Sequence, residues 1–168
     1  MTKVLDINSK ETTIFLDQLI QISDLKEFAQ TLLWGVAKEF EASQGAFFIV
    51  KKRPKKNILS FIVGYAYHIP ESETIEYEFG EGLSGQVAKE GKLMNIDTVP
   101  EGYISIISGL GQASPSSIII FPFKSENEVI AVIELASFKK IEKQQENYLK
   151  EISEKVEALL AKIVEGNK

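Results

Sequence analysis

Three glycines in the middle of the chain have the spacing of a phosphate-binding loop. Gly80, Gly82 and Gly85 spell G-x-G-x-x-G, a pattern in which backbone N–H groups at the start of a helix hold a pyrophosphate. That site needs a buried parallel strand before the glycines and a βαβ unit around them. Here residues 75–79 alternate apolar residues with glutamates, and the next strand follows the short helix too closely for a crossover helix. The pattern therefore predicts a tight turn that leads into a short helix.

The residues that most often carry catalysis are scarce. The chain has no cysteine and a single histidine, His68, which excludes thiol nucleophiles, thiolate metal ligands and pairs of histidine ligands. Neither the G-x-S-x-G nor the G-x-x-x-x-G-K-[ST] pattern occurs. We therefore expect no enzymatic activity, no metal ion and no cofactor.

Glu134 is the best candidate for acid–base chemistry. The alternation of a strand places it on one face with Ile130, Val132, Ala136 and Phe138, so that a carboxyl group stands in an apolar row. A lone carboxylate in that position must be paired, protonated or close to the surface. An enzyme with an acid–base site around Glu134 is the third of three functional hypotheses.

Hydrophobic periodicity predicts the elements that position these residues. Helices are expected at residues 14–22, from Ser23 or Asp24 to about Ala42, and at Leu83–Glu90 with Gly91 as the C-terminal cap. Strands are expected at residues 45–52, 58–68, 75–79, 93–97, 117–123 and 128–138. The basic run at residues 51–56 should lie at a hairpin tip. Residues 98–117 should form a lid with one or two helical turns at about 101–108.

Two segments of the sequence resemble a known family. The segment GEGLSGQVAKEGKLMNID, residues 80–97, resembles the centre of a GAF domain, a small-molecule sensing and dimerising module. The segment SIIIFPFKSENEVIAVIELAS, residues 117–137, is similar to the closing strand pair of that family. The resemblance covers about residues 25–160 and implies an α/β (α+β), profilin-like fold. In that fold an antiparallel sheet of five or six strands has the N- and C-terminal helices on one face and short helices plus a lid on the other.

The resemblance implies a ligand pocket between the sheet and the lid. The residues expected to line it are sheet positions beneath the lid and the apolar side of the lid: Ile62, Tyr77, Leu83, Ser84, Gln86, Val87, Tyr103, Ile119, Phe121, Val132 and Glu134. Ser84, Gln86 and Glu134 would supply the polar contacts that ligand sites need. The alternative is a packed core in which side chains such as Phe61, Tyr77 and Phe121 fill the space.

The C-terminal segment, residues 142–164, predicts one long helix. Its apolar residues form a narrow seam with the spacing of a coiled coil: Tyr148, Ile152, Val156, Leu159 and Ile163. This seam is longer than we expect one small sheet to cover. The sequence therefore predicts a homodimer formed through the terminal helices.

Length and composition limit the class of protein. With 168 residues, 44% of them hydrophobic, and a net charge of −5, the chain is expected to fold as one domain without a nucleic-acid surface. We expect a flexible N-terminus over residues 1–10, a single GAF-like domain over 11–164 and a tail over 165–168. The sequence has neither an apolar signal segment nor a run long enough to span a membrane, so we expect a cytoplasmic chain that does not insert into membranes.

Two functional hypotheses come before the enzyme. The first is a non-catalytic regulatory sensor that binds an unknown small molecule or a partner and transmits the signal through its terminal helices. Its parent would be a bacterial signalling protein such as a sensor histidine kinase of a two-component system. The second is a structural dimerisation module with a filled pocket and no ligand. The lack of cysteine argues against the free-methionine-sulfoxide reductases of the GAF family, which depend on thiols.

Overall fold

The computed structural model describes residues 5–168, which form four helices and eight strands. The helices are α1 (Lys10–Leu19), α2 (Leu25–Glu39), α3 (Gly82–Glu90) and α4 (Lys143–Gly166). The strands are β1 (Gln44–Arg53), β2 (Lys56–Tyr65), β3 (Glu76–Glu78), β4 (Met94–Ile96), β5 (Ile106–Ser108), β6 (Gly111–Ala113), β7 (Ser117–Ser125) and β8 (Glu128–Ser137). The flexible stretch expected over residues 1–10 lies partly outside the described residues, and Ser9 already caps α1 by accepting a hydrogen bond from the Thr12 N–H.

Short local signals set the ends of these elements. The Asp24 carboxylate caps α2 by accepting a hydrogen bond from the Glu27 N–H at 2.9 Å. Gly91 ends α3 at φ 66°, the left-handed conformation that favours glycine at this position. Glu142 and Gln145 form a reciprocal capping box at the start of α4. Pro54 and Lys55 make the tip between β1 and β2, so the basic run does lie on a hairpin turn as predicted.

Six strands form one antiparallel sheet in the order β3-β2-β1-β8-β7-β4. The helices α1, α2 and α4 cover one face, where the core contains Phe28, Phe47, Phe123, Ile133 and Leu149. The short helix α3 covers the other face, together with residues 99–106. This is the predicted antiparallel α/β fold with its two unequal layers. We call the two sides of the sheet the helix face and the cavity face.

The predicted helical turn in the lid is wrong. Residues 106–108 and 111–113 instead pair as the small antiparallel hairpin β5–β6. Consecutive β-branched residues at Ile106 and Ile107 favour a strand, and Gly111 adopts φ 135°, which a helix does not allow. At this hairpin Ile107 and Leu110 are exposed, so their apolar character does not reflect burial.

A β-bulge in β2 changes which residues face the cavity. Phe47 pairs with Val63 while the next residue, Phe48, pairs with Phe61, so that Ile62 is an extra residue. Before the bulge, Leu59 and Phe61 pack on the cavity face; after it, Val63 packs on the helix face. Strict alternation along β2 would place these three residues on one face, and the inserted residue reverses that alternation.

The apolar seam of α4 is buried inside the chain itself. Ile152 and Val156 have no exposed surface, and Tyr148 and Ile163 are 3% and 7% exposed. Leu159 is only half-buried, and its neighbour Leu160 takes the fully buried position. The seam was therefore wrongly assigned to a dimer interface.

The sheet alone does not cover this seam, since α1 and α2 complete its surroundings. The Tyr148 ring lies 6.5 Å from the Phe40 ring, and its hydroxyl lies 3.2 Å from the Thr12 hydroxyl in a hydrogen bond.

None of the helices within residues 5–168 combines the length and the apolar character that a membrane crossing requires.

Candidate functional site

A cavity of about 260 Å³ lies between the cavity face of the sheet, the start of α3 and the lid. Its walls come from β1, β2, β3, β8, the turn before α3 and residues 103–105. The lining residues are Gln44, Gly45, Ala46, Phe48, Phe61, Tyr67, Ile75, Tyr77, Glu81, Gly82, Leu83, Ser84, Tyr103, Ile104, Ser105, Glu134 and Ala136. At about 30 Å³ for each water, the volume equals about nine waters, which suits a small metabolite.

The glycine pattern places α3 at the edge of this cavity. Gly80 and Gly82 adopt φ 90° and 63°, and Gly82 opens the helix. A Cβ on Gly85 would lie 2.4 Å from the backbone oxygen of Glu78, so only glycine fits there. The Gly80 N–H also donates to the Gly85 carbonyl at 2.7 Å. The three glycines allow a tight turn, as the sequence predicted, and this turn places Leu83 and Ser84 in the cavity wall.

Glu134 is the cavity-lining carboxyl group that the sheet contributes. It comes from β8, where its neighbours along the strand, Ile133 and Leu135, are fully buried on the helix face. The Ser84 hydroxyl donates to Glu134 Oε2 at 2.5 Å, and the Tyr103 hydroxyl donates to Oε1 at 3.4 Å. The carboxyl group thus joins the sheet to α3 and to the lid. Its remaining accessible surface faces the cavity.

Burial governs the electrostatics of these groups. Burial raises the pKa of Glu134 above its ordinary value of 4.5, and the hydrogen bonds from Ser84 and Tyr103 only partly oppose that effect. Burial also raises the pKa of Tyr103 and Tyr77, and in both cases the nearby Glu134 charge adds to the rise. Both phenols are therefore neutral hydrogen-bond donors at physiological pH.

A buried polar atom on another residue of the cavity wall has no partner within the described chain. Gln44 Oε1 is buried, and among the described residues no group donates a hydrogen bond to it. A buried acceptor without a donor costs about 1–3 kcal/mol. Gln44, a residue of the cavity wall, thus carries an unsatisfied acceptor, and it lies on β1 two positions before Ala46, the strand partner of Glu134.

Aromatic rings build most of the remaining wall. The Phe48 ring packs edge-on against Phe61 at 5.9 Å and against Tyr77 at 5.8 Å, and Phe61 packs edge-on against Tyr67 at 5.9 Å. These contacts hold the rings in fixed orientations. The arrangement is an apolar, aromatic pocket with few polar groups, as small-molecule sites usually are.

The structure brings together part of the predicted ligand-binding set. Tyr77, Leu83, Ser84, Tyr103 and Glu134 all line the cavity. Whether they bind a ligand stays a prediction.

The other predicted residues lie elsewhere. Ile119 and Phe121 belong to the helix-face core, and Ile62 packs against that core because of the bulge. Val87 of α3 and Val132 of β8 are fully buried in the core between α3 and the sheet. The Gln86 amide faces outward and donates to Glu90 at 3.0 Å. The alternative of a pocket filled by Phe61, Tyr77 and Phe121 fails in part, since Phe121 lies on the other face.

The sequence interpretation missed the contribution of β1. Gln44, Ala46 and Phe48 alternate along that strand with residues of the helix face, and all three reach the cavity. This period of two is visible in the sequence, but an almost continuous apolar run concealed which parity faced the lid. Among residues 5–168, no group of three or more His, Cys, Asp or Glu side chains is placed to hold a metal ion.

Solved structures share this fold at low sequence identity. The GAF domain of an Acinetobacter phosphoenolpyruvate-protein phosphotransferase is 15% identical with a TM-score of 0.69, covering 91% of this chain and 94% of its own. A methyl-accepting chemotaxis protein fragment, residues 122 to 287, is 14% identical with a TM-score of 0.68, covering 89% and 96%. No curated protein matches the sequence.

A third similar structure is an enzyme. The free methionine-R-sulfoxide reductase from Neisseria meningitidis, in complex with its substrate, is 18% identical with a TM-score of 0.65, covering 99% of both chains. The expectation that this chain has no enzymatic activity is therefore corrected, because enzymes share its fold and its enzymatic status is open.

The family follows from the sequence match together with the fold. The family model for the GAF domain matches residues 23–161, which span α2, the whole six-stranded sheet, the cavity and most of α4. The chain belongs to the GAF domain family.

Proposed function

We propose that this chain is a regulatory GAF domain that binds a small molecule in the cavity and transmits its binding state through the terminal helices. The observation that carries the proposal is the buried Glu134 carboxyl, which faces an aromatic cavity and contacts both α3 and the lid. A ligand on Glu134 would bind the carboxyl group that already accepts hydrogen bonds from Ser84 and Tyr103, and would alter those two bonds. Ligand binding would then shift the positions of α3 and the lid, provided that the ligand binds the two arrangements unequally.

A chain of contacts leads from the cavity to α4. The segment after α3 forms β4, and the side chain of Asn95 in β4 donates to the Ile141 carbonyl at 2.8 Å and to Glu146 at 3.0 Å. These two bonds join β4 to the first turn of α4. A displacement of α3 would thus reach α4 through β4, as a relay to an output domain of a bacterial signalling protein requires.

A thermal-shift screen of metabolites against wild type and Ala46→Phe tests the binding step. Ala46 lines the cavity, and a phenyl group there should fill it. A ligand at 100 times its Kd should stabilise wild type by about 2.7 kcal/mol and raise Tm by roughly 5–10 °C. It should leave the Tm of Ala46→Phe unchanged. Compounds that stabilise both proteins equally, or neither, would contradict a cavity ligand.

Hydrogen exchange of residues 143–149 tests the transmission step with any such ligand. We expect the ligand to change exchange in wild type, and Asn95→Leu to bind it with the same Kd while losing that change. Gln86→Ala is the matched control, because the exposed Gln86 side chain does not line the cavity and its amide donates to the exposed Glu90. An equal exchange response in Asn95→Leu would reject the path through β4.

An enzymatic role around Glu134 is the second candidate function. A buried carboxyl group with a raised pKa, hydrogen-bonded to Ser84 and Tyr103, is a typical arrangement for proton transfer. The same metabolite set, followed by NMR for product formation, separates the two functions. Turnover that Glu134→Gln abolishes would establish the enzyme, and binding without turnover supports the sensor.

The dimer and the cytoplasmic location expected from the sequence belong to the sensor proposal. The seam buried in α4 cannot form the dimer interface, so an interface through the terminal helices would use their outward faces. The structural dimerisation module is less well supported than the sensor, because the side chains leave a cavity and do not fill it.

A further inference from the structure

We propose that the cavity binds a small organic cation with N–H donors, such as an alkylammonium or a guanidinium compound, with Glu134 as its counter-ion. This inference rests on the proposed function and adds the chemical class of the ligand. Three features of the cavity wall support it: the charges of its residues, its unsatisfied acceptor and its aromatic surfaces.

The charge of the wall selects against anions. The cavity-lining residues within the described chain include two carboxyl groups, those of Glu81 and Glu134, and no Lys, Arg or His. Glu134 has two hydroxyl donors, of which the Tyr103 contact at 3.4 Å is long. None of the ion pairs seen within residues 5–168 involves Glu134. A cation in the cavity would supply the missing counter-charge, and an anion would add a third negative charge.

Unused acceptor capacity selects for a ligand with several donors. A carboxylate has about four lone-pair sites, and within residues 5–168 two hydroxyls donate to this one. Gln44 Oε1 lacks any donor within the described chain. A primary ammonium has three N–H donors and a guanidinium has five, so either can donate more than one hydrogen bond inside the cavity. A quaternary ammonium has none and would leave Gln44 unsatisfied.

The aromatic wall provides the rest of the binding energy. Phe48, Phe61, Tyr67 and Tyr77 form a connected set of rings around the cavity, and the faces of such rings attract cations in addition to covering alkyl groups. A short alkyl chain attached to a cationic head matches this mixture of rings and acceptors. The volume of about 260 Å³ limits the ligand to a small compound.

Butylammonium and its neutral isostere butan-1-ol are the probes that test this inference. Titrations followed by backbone amide NMR should give a Kd for butylammonium at least tenfold lower than for butan-1-ol, with the shifts at residues of the cavity wall. Tetramethylammonium should bind at least threefold more weakly than butylammonium, because it cannot donate to Gln44 or Glu134. Equal or tighter binding of butan-1-ol would overturn the inference.

Substitutions assign the effect to residues. Glu134→Gln should weaken butylammonium at least tenfold and leave butan-1-ol within threefold, and Gln44→Met should weaken butylammonium about threefold. Glu154→Gln removes the same charge from an exposed position of α4, on the other side of the sheet, and should change neither Kd. A tenfold loss in Glu154→Gln, or none in Glu134→Gln, would reject Glu134 as the counter-ion.

The pH dependence gives an independent readout. Within residues 5–168, the titratable groups that line the cavity together with Glu134 are Glu81, Tyr67, Tyr77 and Tyr103. Butylammonium, like lysine, stays charged below about pH 10. Affinity for butylammonium should therefore rise with pH as Glu134 ionises, at a pH above the ordinary value of 4.5 because burial raises the pKa of this group. Glu134→Gln should abolish this rise, and Glu81→Gln should retain it. A rise that persists in Glu134→Gln would contradict the inference.

The same binding experiments distinguish a failure of the cation inference from a failure of the proposed sensor function. If butan-1-ol or other neutral compounds bind in the cavity and butylammonium does not, the cation inference is wrong and the small-molecule site stands. If neither butylammonium nor butan-1-ol binds while a larger neutral metabolite from the screen does, the same conclusion holds. If nothing stabilises the wild-type chain, both are wrong.

Discussion

The raised pKa of Glu134 makes the free energy of unfolding depend on pH through the ionisation of this one residue. Its folded pKa lies above the ordinary value of 4.5 because burial disfavours the carboxylate. Between those two values the folded state holds a proton that the unfolded state releases. The stabilising contribution of the protonated group is therefore fully present below about pH 4.5 and is lost as pH rises through the folded pKa.

Glu134→Gln should remove this dependence while keeping an acceptor for Ser84. Urea unfolding of both proteins at intervals from pH 4.5 to pH 8 should show the variant gaining stability relative to wild type as pH rises. The slope cannot exceed about 1.4 kcal/mol per pH unit for one proton. Glu154→Gln serves as the control and should give a constant difference. A flat difference for Glu134→Gln would mean that burial does not shift this pKa.

At the same scale, the sequence could identify Glu134 but not its partners. A carboxyl group in the apolar row of β8 is visible from alternation alone. Ser84 and Tyr103 lie 50 and 31 residues away along the chain, and their contact depends on how α3 and the lid pack. The unsatisfied Gln44 oxygen could not be predicted either, since only the packed structure shows which polar atoms lack a partner.

Among the elements, α3 depends on two glycines for different reasons. A Cβ on Gly85 would clash with the carbonyl oxygen of Glu78, so a methyl group there must push α3 away from β3. Gly82 has open space around its Cβ position but adopts φ 63°. Gly85→Ala should therefore cost about 1–3 kcal/mol of overpacking, and it should also displace Ser84 from Glu134. Gly82→Ala should cost about 1–2 kcal/mol, through backbone strain alone.

Denaturant unfolding and the butylammonium Kd together separate these two effects. Gly85→Ala should lower stability and weaken butylammonium, because its clash moves the cavity wall. Gly82→Ala should lower stability with a smaller change in Kd. If Gly85→Ala were as stable as wild type, the contact with Glu78 would not define the position of α3.

A feature of a helix or strand can be predicted from the sequence when neighbouring residues determine it. The caps at Asp24 and Gly91 and the hairpin tip at Pro54 depend on a few neighbouring residues, and all were visible in the sequence. The bulge at Ile62 was not, because an inserted residue leaves the composition of the strand unchanged and only the pairing with β1 reveals it. That insertion is also why Ile62 was wrongly placed in the cavity.

For the whole molecule, the layer order was predictable and the partner of α4 was not. Alternating strands with amphipathic helices at both ends specify an antiparallel sheet covered on one face by those helices. An apolar helical seam looks the same whether its partner is the same chain or a second copy. Here α1, α2 and β7 of the same chain bury Tyr148, Ile152 and Val156.

The burial of the seam changes what a substitution in α4 should do. Ile152 is fully buried, so Ile152→Ala should lower the free energy of unfolding by about 2–5 kcal/mol, whereas Leu159→Ala should cost less because Leu159 is half-buried. Urea unfolding measures both. If Ile152→Ala cost less than Leu159→Ala, the core assigned to α4 would be wrong.

Sedimentation equilibrium of the same two variants tests the dimer, which stays a prediction. We expect wild type to associate at tens of micromolar through the outward faces of the terminal helices. Ile152→Ala should associate to the same extent under conditions where it is folded, because Ile152 lies inside the monomer. Loss of association in folded Ile152→Ala would return the seam to the interface. A wild-type chain that sediments as a monomer would reject the dimer, and transmission through α4 would then have to act within one chain.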